Sequence, residues 1–217
     1  MSSSILISGF DDLDAAARRV AFFSALHAAD REQYALFLDH CQAYAVNAGQ
    51  AVICQGDIAA QLFFIVAGSV DVTANGQYLG TLPAGETFGD MTMFVDSRRN
   101  ASITAAEENS AATLLLALDV SLFGELNDFR VVSLATKLLF YRLHIQRARW
   151  RLEKNRIQYP HHNFFERMTK LPEVSANDDD LELGELHRQA VALTHMLLEW
   201  NALGIEFGSV LGATGET

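Results

Sequence analysis

Between residues 50 and 118 the chain reads as short apolar runs broken by turn residues every few positions. The runs lie at 50–55, 62–67, 70–73, 77–82, 100–105 and 111–118, a spacing that predicts the strands of an all-β barrel or sandwich. Asn75-Gly76 falls between two alternating segments. A type I′ turn needs positive φ at both central positions, which this pair tolerates, so a tight hairpin is predicted there.

Past residue 128 the apolar period lengthens. Val131, Leu138, Ile145 and Leu152 recur every seven residues, with Leu134, Tyr141 and Ala148 at the intervening d positions. The pattern predicts a helix from about Asp128 to Arg156 carrying a heptad seam, and hence a parallel homodimer through a coiled coil. The competing reading packs that stripe on the helix's own β-roll. A shifted face of Leu139, Leu143, Gln146 and Trp150 can do that job instead, and two faces ask for two partners. A second helical stretch, Leu181 to Gly204, carries Leu183, Leu186, Ala190, Leu193, Leu197 and Trp200 as one stripe. A polar linker around Ser175 to Asp180 precedes it, and Asp178 to Asp180 suit the positive end of its dipole. The chain therefore divides into 1–127, a β-roll with N-terminal helices; 128–158, a dimerisation helix; and 159–217, an acidic helical extension.

Composition narrows the classes. With 217 residues, half of them hydrophobic, the chain can bury a substantial core. Met1 to Phe10 lacks a basic start and a long apolar core, and no apolar run approaches twenty residues. Neither a signal peptide nor a membrane span is predicted, and a cytoplasmic location is expected. Cys41 and Cys54 form no CxxC pair and read as reduced thiols.

The net charge of −11 argues against a general affinity for nucleic acid or anionic lipid. Its distribution is uneven: Arg142 to Arg156 holds six Arg or Lys against Glu153 alone, whereas 159–217 holds Arg167, Lys170 and Arg188 against ten acids. A DNA reader needs the opposite balance on its reading element, so DNA is not an expected partner of the tail. The basic run reads as solvated coiled-coil flanks, with the acidic tail as one possible partner. His161, His162, His187 and His195 have no Cys or carboxylate at ligand spacing and read as surface and packing residues, so no metal is expected. No P-loop, nucleophile elbow or zinc-hydrolase helix motif occurs, and the chain reads as no enzyme.

Candidate chemistry concentrates in Phe88 to Ser102, FGDMTMFVDSRRNAS. Gly89 permits close approach of the backbone to a ligand. Asp90 to Phe94 has the length of one helical turn, whose free N–H groups favour an anion. Arg99 can return a guanidinium to the same phosphate, Ser102 can add a hydroxyl, and Asp90 is left to accept from a sugar hydroxyl.

Phe88-Gly89-Asp90-Met91, followed by Arg99-Asn100-Ala101-Ser102-Ile103, resembles the phosphate-binding cassette of the cyclic nucleotide-binding domain family. Asp90 stands where that family usually has Glu, Thr92 replaces a small alanine, and Arg98 replaces proline. Ala21-Phe22-Phe23 with Leu26, the run Ala48 to Asp57, the run Phe63 to Val70, and Leu82 to Glu86 extend the likeness over roughly residues 18 to 155. The resemblance implies a double-stranded β-helix, a jelly-roll-like β-roll, mainly β with helical flanks. It implies a pocket of Phe88, Gly89, Asp90, Met91, Thr92, Arg99, Asn100, Ala101 and Ser102, in which Asp90 holds the ribose 2′-hydroxyl and Arg99 pairs with the cyclic phosphate. The ligand implied is a cyclic nucleotide, cAMP before cGMP, and the role implied is that of a sensor relaying occupancy through the long helix. Two alternatives stay open: a divergent transcriptional regulator of the catabolite-activator type, and a β-roll scaffold that has lost its ligand. A cupin-type metalloenzyme is closed off, because no histidine lies between Cys41 and Leu143.

Overall fold

The computed structural model describes residues 5–6, 13–58, 60–95, 98–171 and 179–203. A short strand β1 (Ile5–Leu6) and three helices, α1 (Leu13–Ala17), α2 (Ala21–Ala29) and α3 (Arg31–Asp39), lead into a roll. The roll consists of β2 (Cys41–Val46), β3 (Ala51–Ile53), β4 (Gln61–Ala67), β5 (Ser69–Ala74), β6 (Gln77–Pro83), β7 (Thr87–Phe88), β8 (Ser102–Ala105) and β9 (Thr113–Asp119). Two antiparallel sheets face each other, a five-stranded one in the order β1-β2-β9-β4-β7 and a four-stranded one in the order β3-β8-β5-β6. The predicted hairpin joins β5 to β6, with Asn75 at φ 52° and Gly76 at φ 77°.

β4 explains why part of the roll reads as an unbroken apolar run. Phe63 and Ile65 point inward to Phe88, Leu115 and Val70, while Leu62, Phe64 and Val66 point outward to a second cluster with Phe22, Phe23 and Phe140. A strand buried on both faces loses the apolar–polar alternation of a half-exposed one. Phe64 meets Phe23 edge-on with ring centroids 5.0 Å apart, which seats α2 on the sheet.

The long helix α4 runs Leu134–Gln158 and begins later than the heptad pattern predicts. Ser133 caps it, its hydroxyl accepting from the Thr136 N–H at 3.2 Å. Lys137, 1% exposed, turns its ammonium back on the preceding segment and donates to the carbonyls of Glu125 (2.5 Å), Leu126 (3.1 Å) and Asp128 (2.8 Å). Val131, the first a position of the seam, therefore lies outside the helix and is exposed.

The seam itself is a correction. Leu138, Tyr141, Ile145, Ala148 and Leu152 are buried within the one chain, in the same cluster as Leu183, Leu186, Ala190, Leu193 and Leu197 of helix α5 (Asp179–Ala202). Arg142 pairs with Glu182, Tyr141 with His187, and Arg151 shares a cavity wall with Leu197 and Asn201, so α5 runs parallel to α4. The surface predicted to bind a second copy is thus covered by α5 of the same chain, which leaves the predicted coiled-coil homodimer no open seam there. The face expected to pack on the roll is the open one, with Leu139 and Leu143 half-buried, Gln146 exposed and Trp150 52% exposed.

Between the two helices the chain returns through a 3-10 stretch, Asn163–Lys170. Trp200 near the end of α5 sits among the rings of Tyr159, His162, Phe164 and Phe165 at centroid distances of 4.8–5.7 Å. Most of the polar linker predicted before α5, with Asp178, lies outside the described residues.

Candidate functional site

The cassette follows the short strand β7. Gly89 takes φ +82°, and a Cβ there would stand 2.6 Å from Arg99 Nη1 and 3.0 Å from the Gln61 carbonyl oxygen. Glycine is required because the Arg99 guanidinium lies directly behind it. Met91–Met93 form a single 3-10 turn, shorter than the helix start expected, and the Asp90 side chain makes no capping bond to it.

Asp90 instead reaches across to α4. His144 Nδ1 donates to Asp90 Oδ2 at 2.9 Å, with the two residues only 4% and 5% exposed. Burial works to raise the Asp90 carboxyl, but the hydrogen bond and charge of His144, with the charge of Arg151, outweigh it and hold the group well below the usual carboxylate range. The carboxylate that the resemblance assigns to a sugar hydroxyl is thus engaged by His144 through one of its two oxygens. The His144 ring also lies 4.2 Å, centroid to centroid, from Phe94.

Arg99 is buried behind the cassette. Nη1 donates to the Gly89 carbonyl at 3.1 Å and Nη2 to the Gln61 carbonyl at 2.5 Å, while the guanidinium lies over the Phe63 ring at 5.9 Å. Desolvation lowers its pKa, and the charges of Asp57 and Asp90 oppose that. Its backbone is clamped as well, the N–H donating to Asp57 O and the carbonyl accepting from the Gly56 N–H, each at 2.8 Å.

Phe88, Gly89, Asp90, Met91, Asn100 and Ala101, together with Val72 and Leu82 of the roll, line a cavity of about 50 Å³. Three of the nine expected residues do not line it. Arg99 is turned to the carbonyls just described, Thr92 donates to the Gly89 carbonyl at 3.0 Å, and the Ser102 hydroxyl accepts from the Gln55 N–H at 2.9 Å. Asn100 lines it with its amide engaged, Nδ2 donating to Met91 Sδ at 3.3 Å.

The remaining wall comes from outside the cassette: Arg151 of α4, and Leu197 and Asn201 of α5. Arg147 and Arg151, one turn apart, clasp Thr87 from the helix side, Nη1 of Arg147 donating to its hydroxyl at 2.6 Å and Nη2 of Arg151 to its carbonyl at 2.7 Å. Arg151 also lies 3.6 Å from Glu86. The basic run is therefore not wholly a solvated flank. The sole sequence signal for this clasp is the four-residue spacing of the two arginines; nothing local marks His144 or Asn201. Glu86 Oε2, His144 Nε2, Arg147 Nη2, Arg151 Nε and Asn201 Oδ1 are buried without a hydrogen-bond partner, and of these residues Arg151 and Asn201 line the cavity. Among the described residues, no group of three or more His, Cys, Asp or Glu could hold a metal ion, and no helix is long and apolar enough to cross a membrane.

Comparison with known proteins agrees on the roll. Residues 45–126 match the family model of the cyclic nucleotide-binding domain, which brings the roll and its cassette, and not the helical tail, within that family's pattern. The cAMP-dependent protein kinase regulatory subunit of Schizosaccharomyces pombe is 34% identical over 89 residues, 41% of this chain and 22% of the relative. The cGMP-dependent protein kinase, isozyme 1, of Drosophila melanogaster is 29% identical over 86 residues, 40% of this chain and 11% of the relative. The match thus spans about a fifth and a tenth of the length of these relatives. Among solved structures, the regulatory domain of Toxoplasma gondii PKA with cAMP aligns with 16% identity and a TM-score of 0.46, covering 61% of this chain and 49% of that one.

Proposed function

We propose that the chain is a cyclic nucleotide-sensing regulatory protein in which ligand and His144 compete for Asp90. The observation that carries this reading is the 2.9 Å pair between the cassette carboxylate and α4, at the wall of the cavity. A buried, ionised carboxylate needs a hydrogen-bond partner in every state. His144 serves without ligand, and a ribose 2′-hydroxyl serves with it. The family match supports the ligand class, and relatives named as a cAMP-dependent kinase regulatory subunit and a cGMP-dependent kinase support a signalling role.

Binding has to move the helices. A space of about 50 Å³ is far below the roughly 300–1,000 Å³ of small-molecule sites. Ligand must therefore part the α4–α5 pair from the cassette, replace the Gly89 or Gln61 carbonyl on the Arg99 guanidinium with the cyclic phosphate, and bring the N–H groups near Met91 and Thr92 onto that anion. Room for the cassette to shift lies behind it, in a cavity of about 370 Å³ bounded by Thr92, Met93, Phe123, Leu126, Tyr141 and His187. The segment from Gly124 to Phe129, gripped by Lys137, is the hinge that such a shift would strain. Occupancy is relayed because the ligand favours the parted arrangement over the closed one, and by no more than that difference in affinity.

Calorimetric titration of the full chain with cAMP and with cGMP tests the reading. Binding of at least one, and its loss in Asp90→Ala, is expected; heat from neither nucleotide overturns it.

A further inference from the structure

Two side chains outside the family match present unpartnered atoms at the cavity wall, Arg151 through Nε and Asn201 through Oδ1. Asn201 stands near the end of α5 and is 8% exposed. A buried amide oxygen with no hydrogen-bond partner is costly, and natural chains keep few of them. One held at the rim of a ligand cavity, beside an apolar slot of Val72, Leu82 and Leu197, is a seat for a donor from outside the chain.

Resting on the reading of this cavity as a cyclic nucleotide pocket, we infer that Asn201 reads the base and selects adenine over purines that carry an oxo group at position 6. With ribose and phosphate held at the cassette, the base lies in the slot between the roll and the helix pair. A purine is a flat slab, and one lying between Val72 and Leu82 of the roll and Leu197 of α5 presents its edge to the part of the wall where Asn201 stands. The 6-amino group of adenine donates to Oδ1, and ring nitrogen N7 accepts from Nδ2, the two-point match of asparagine with adenine. Guanine and hypoxanthine offer an oxo oxygen at that position. It would meet Oδ1 lone pair against lone pair, and turning the amide over recovers one bond while losing the other.

Arginine is the side chain suited to the oxo edge of a purine, and Arg151 is close at hand. Its Nη2 is already held, however, donating to the Thr87 carbonyl at 2.7 Å and lying 3.6 Å from Glu86, which leaves the unpartnered Nε without the second nitrogen of a fork. Asn100, the cassette's own amide on this wall, has its nitrogen on Met91 Sδ. The selecting group thus sits on α5, a helix beyond the family match, and base identity is coupled to the same element that must move for ligand to enter.

The test uses the full chain and three ligands: cAMP, cyclic inosine monophosphate, which differs from it in having an oxo group for the amine, and N6,N6-dimethyl cAMP, which lacks the amino donor. Wild type should bind cAMP about tenfold or more tighter than either analogue. Asn201→Leu and Asn201→Ala should lose that advantage by weakening cAMP alone, leaving cyclic inosine monophosphate unchanged. Equal wild-type affinities for the three ligands overturn the inference without recourse to any variant. So does a cAMP preference that survives in both variants, or a rise of all affinities together, which would make Asn201 a plug. Failure of wild type to bind any cyclic nucleotide instead overturns the function on which the inference rests.

Discussion

Asp90 and His144, 54 positions apart in the chain, meet at 2.9 Å in a buried space, so the carboxylate of the cassette is also the anchor of the long helix. The group proposed to serve a ribose is thus the one that now holds the helix, and the two tasks are thereby coupled.

Removing His144 should strip the buried Asp90 carboxylate of its side-chain hydrogen-bond partner in the ligand-free chain, at a cost of about 1–3 kcal/mol. Ligand restores a partner, so the same energy reappears as affinity. His144→Ala is expected to melt at a lower temperature and to bind its nucleotide more tightly, by roughly fivefold to a hundredfold. Melting curves and titrations on the same preparation check both halves; lower stability with unchanged affinity would contradict the competition.

Arg99 satisfies the carbonyls of Gly89 and Gln61 now and is the group proposed to take the phosphate later. Arg99→Ala should weaken nucleotide binding by at least about thirtyfold, the lower end of the effect of truncating one member of a buried charge pair. Arg98 is exposed and donates to the Gly56 carbonyl at 2.8 Å, and Arg98→Ala should leave affinity near wild type. Titration of the two variants side by side separates them.

Gly89→Ala puts a Cβ 2.6 Å from Arg99 Nη1 at a backbone of φ +82°. Strain of this kind costs about 1–3 kcal/mol, and displacement of the guanidinium adds to it. Denaturant unfolding should show the loss of stability, and titration a parallel loss of nucleotide affinity.

Leu138→Glu separates the two uses of the heptad seam. If the seam served a dimer, the variant would be a folded monomer. Because Leu138 lies within the chain's own core, the expected result is a chain destabilised to the same degree at every protein concentration, as an unpaired carboxylate in an apolar core requires. Light scattering and denaturant melts across a dilution series distinguish the outcomes.

The acid side of the stability curve should carry the mark of Asp90. Its carboxyl is depressed in the folded chain, so on acidification the unfolded chain takes up the proton first. The group's contribution is complete above the unfolded carboxylate value of about 3.9 and is lost as pH falls further. Asp90→Asn should therefore be less stable than wild type at neutral pH, with the gap narrowing below about pH 4. Denaturant melts of both proteins over that range provide the measurement.

Much of this was legible in the chain before any coordinates. The apolar runs give β3 to β6, β8 and β9 because each is long enough to carry a pattern, and Asn75-Gly76 marks its hairpin because few residue pairs tolerate two positive φ values. β7 has two residues and escapes any periodicity. β2, Cys41–Val46, mixes buried and half-buried positions and does not stand out as a run. The cassette could be read because Gly89, Asp90 and Arg99 act through local geometry at short spacing. His144, Arg151 and Asn201 could not, because they reach the cavity from helices whose placement depends on everything packed beneath them.

The seam of α4 marks the boundary between the two kinds of knowledge. Leu138, Tyr141, Ile145, Ala148 and Leu152 by themselves determine that one face of this helix must be buried and that a parallel helix fits it, since side-chain period and spacing are local properties. That the partner is α5 of the same chain was decided by tertiary structure alone. A hydrophobic stripe specifies the shape and polarity of what covers it and says nothing of which molecule supplies it; here the return through Asn163–Lys170 and the seating of Trp200 carry α5 back onto the seam. The same packing sets His144 against Asp90 and Asn201 at the cavity wall.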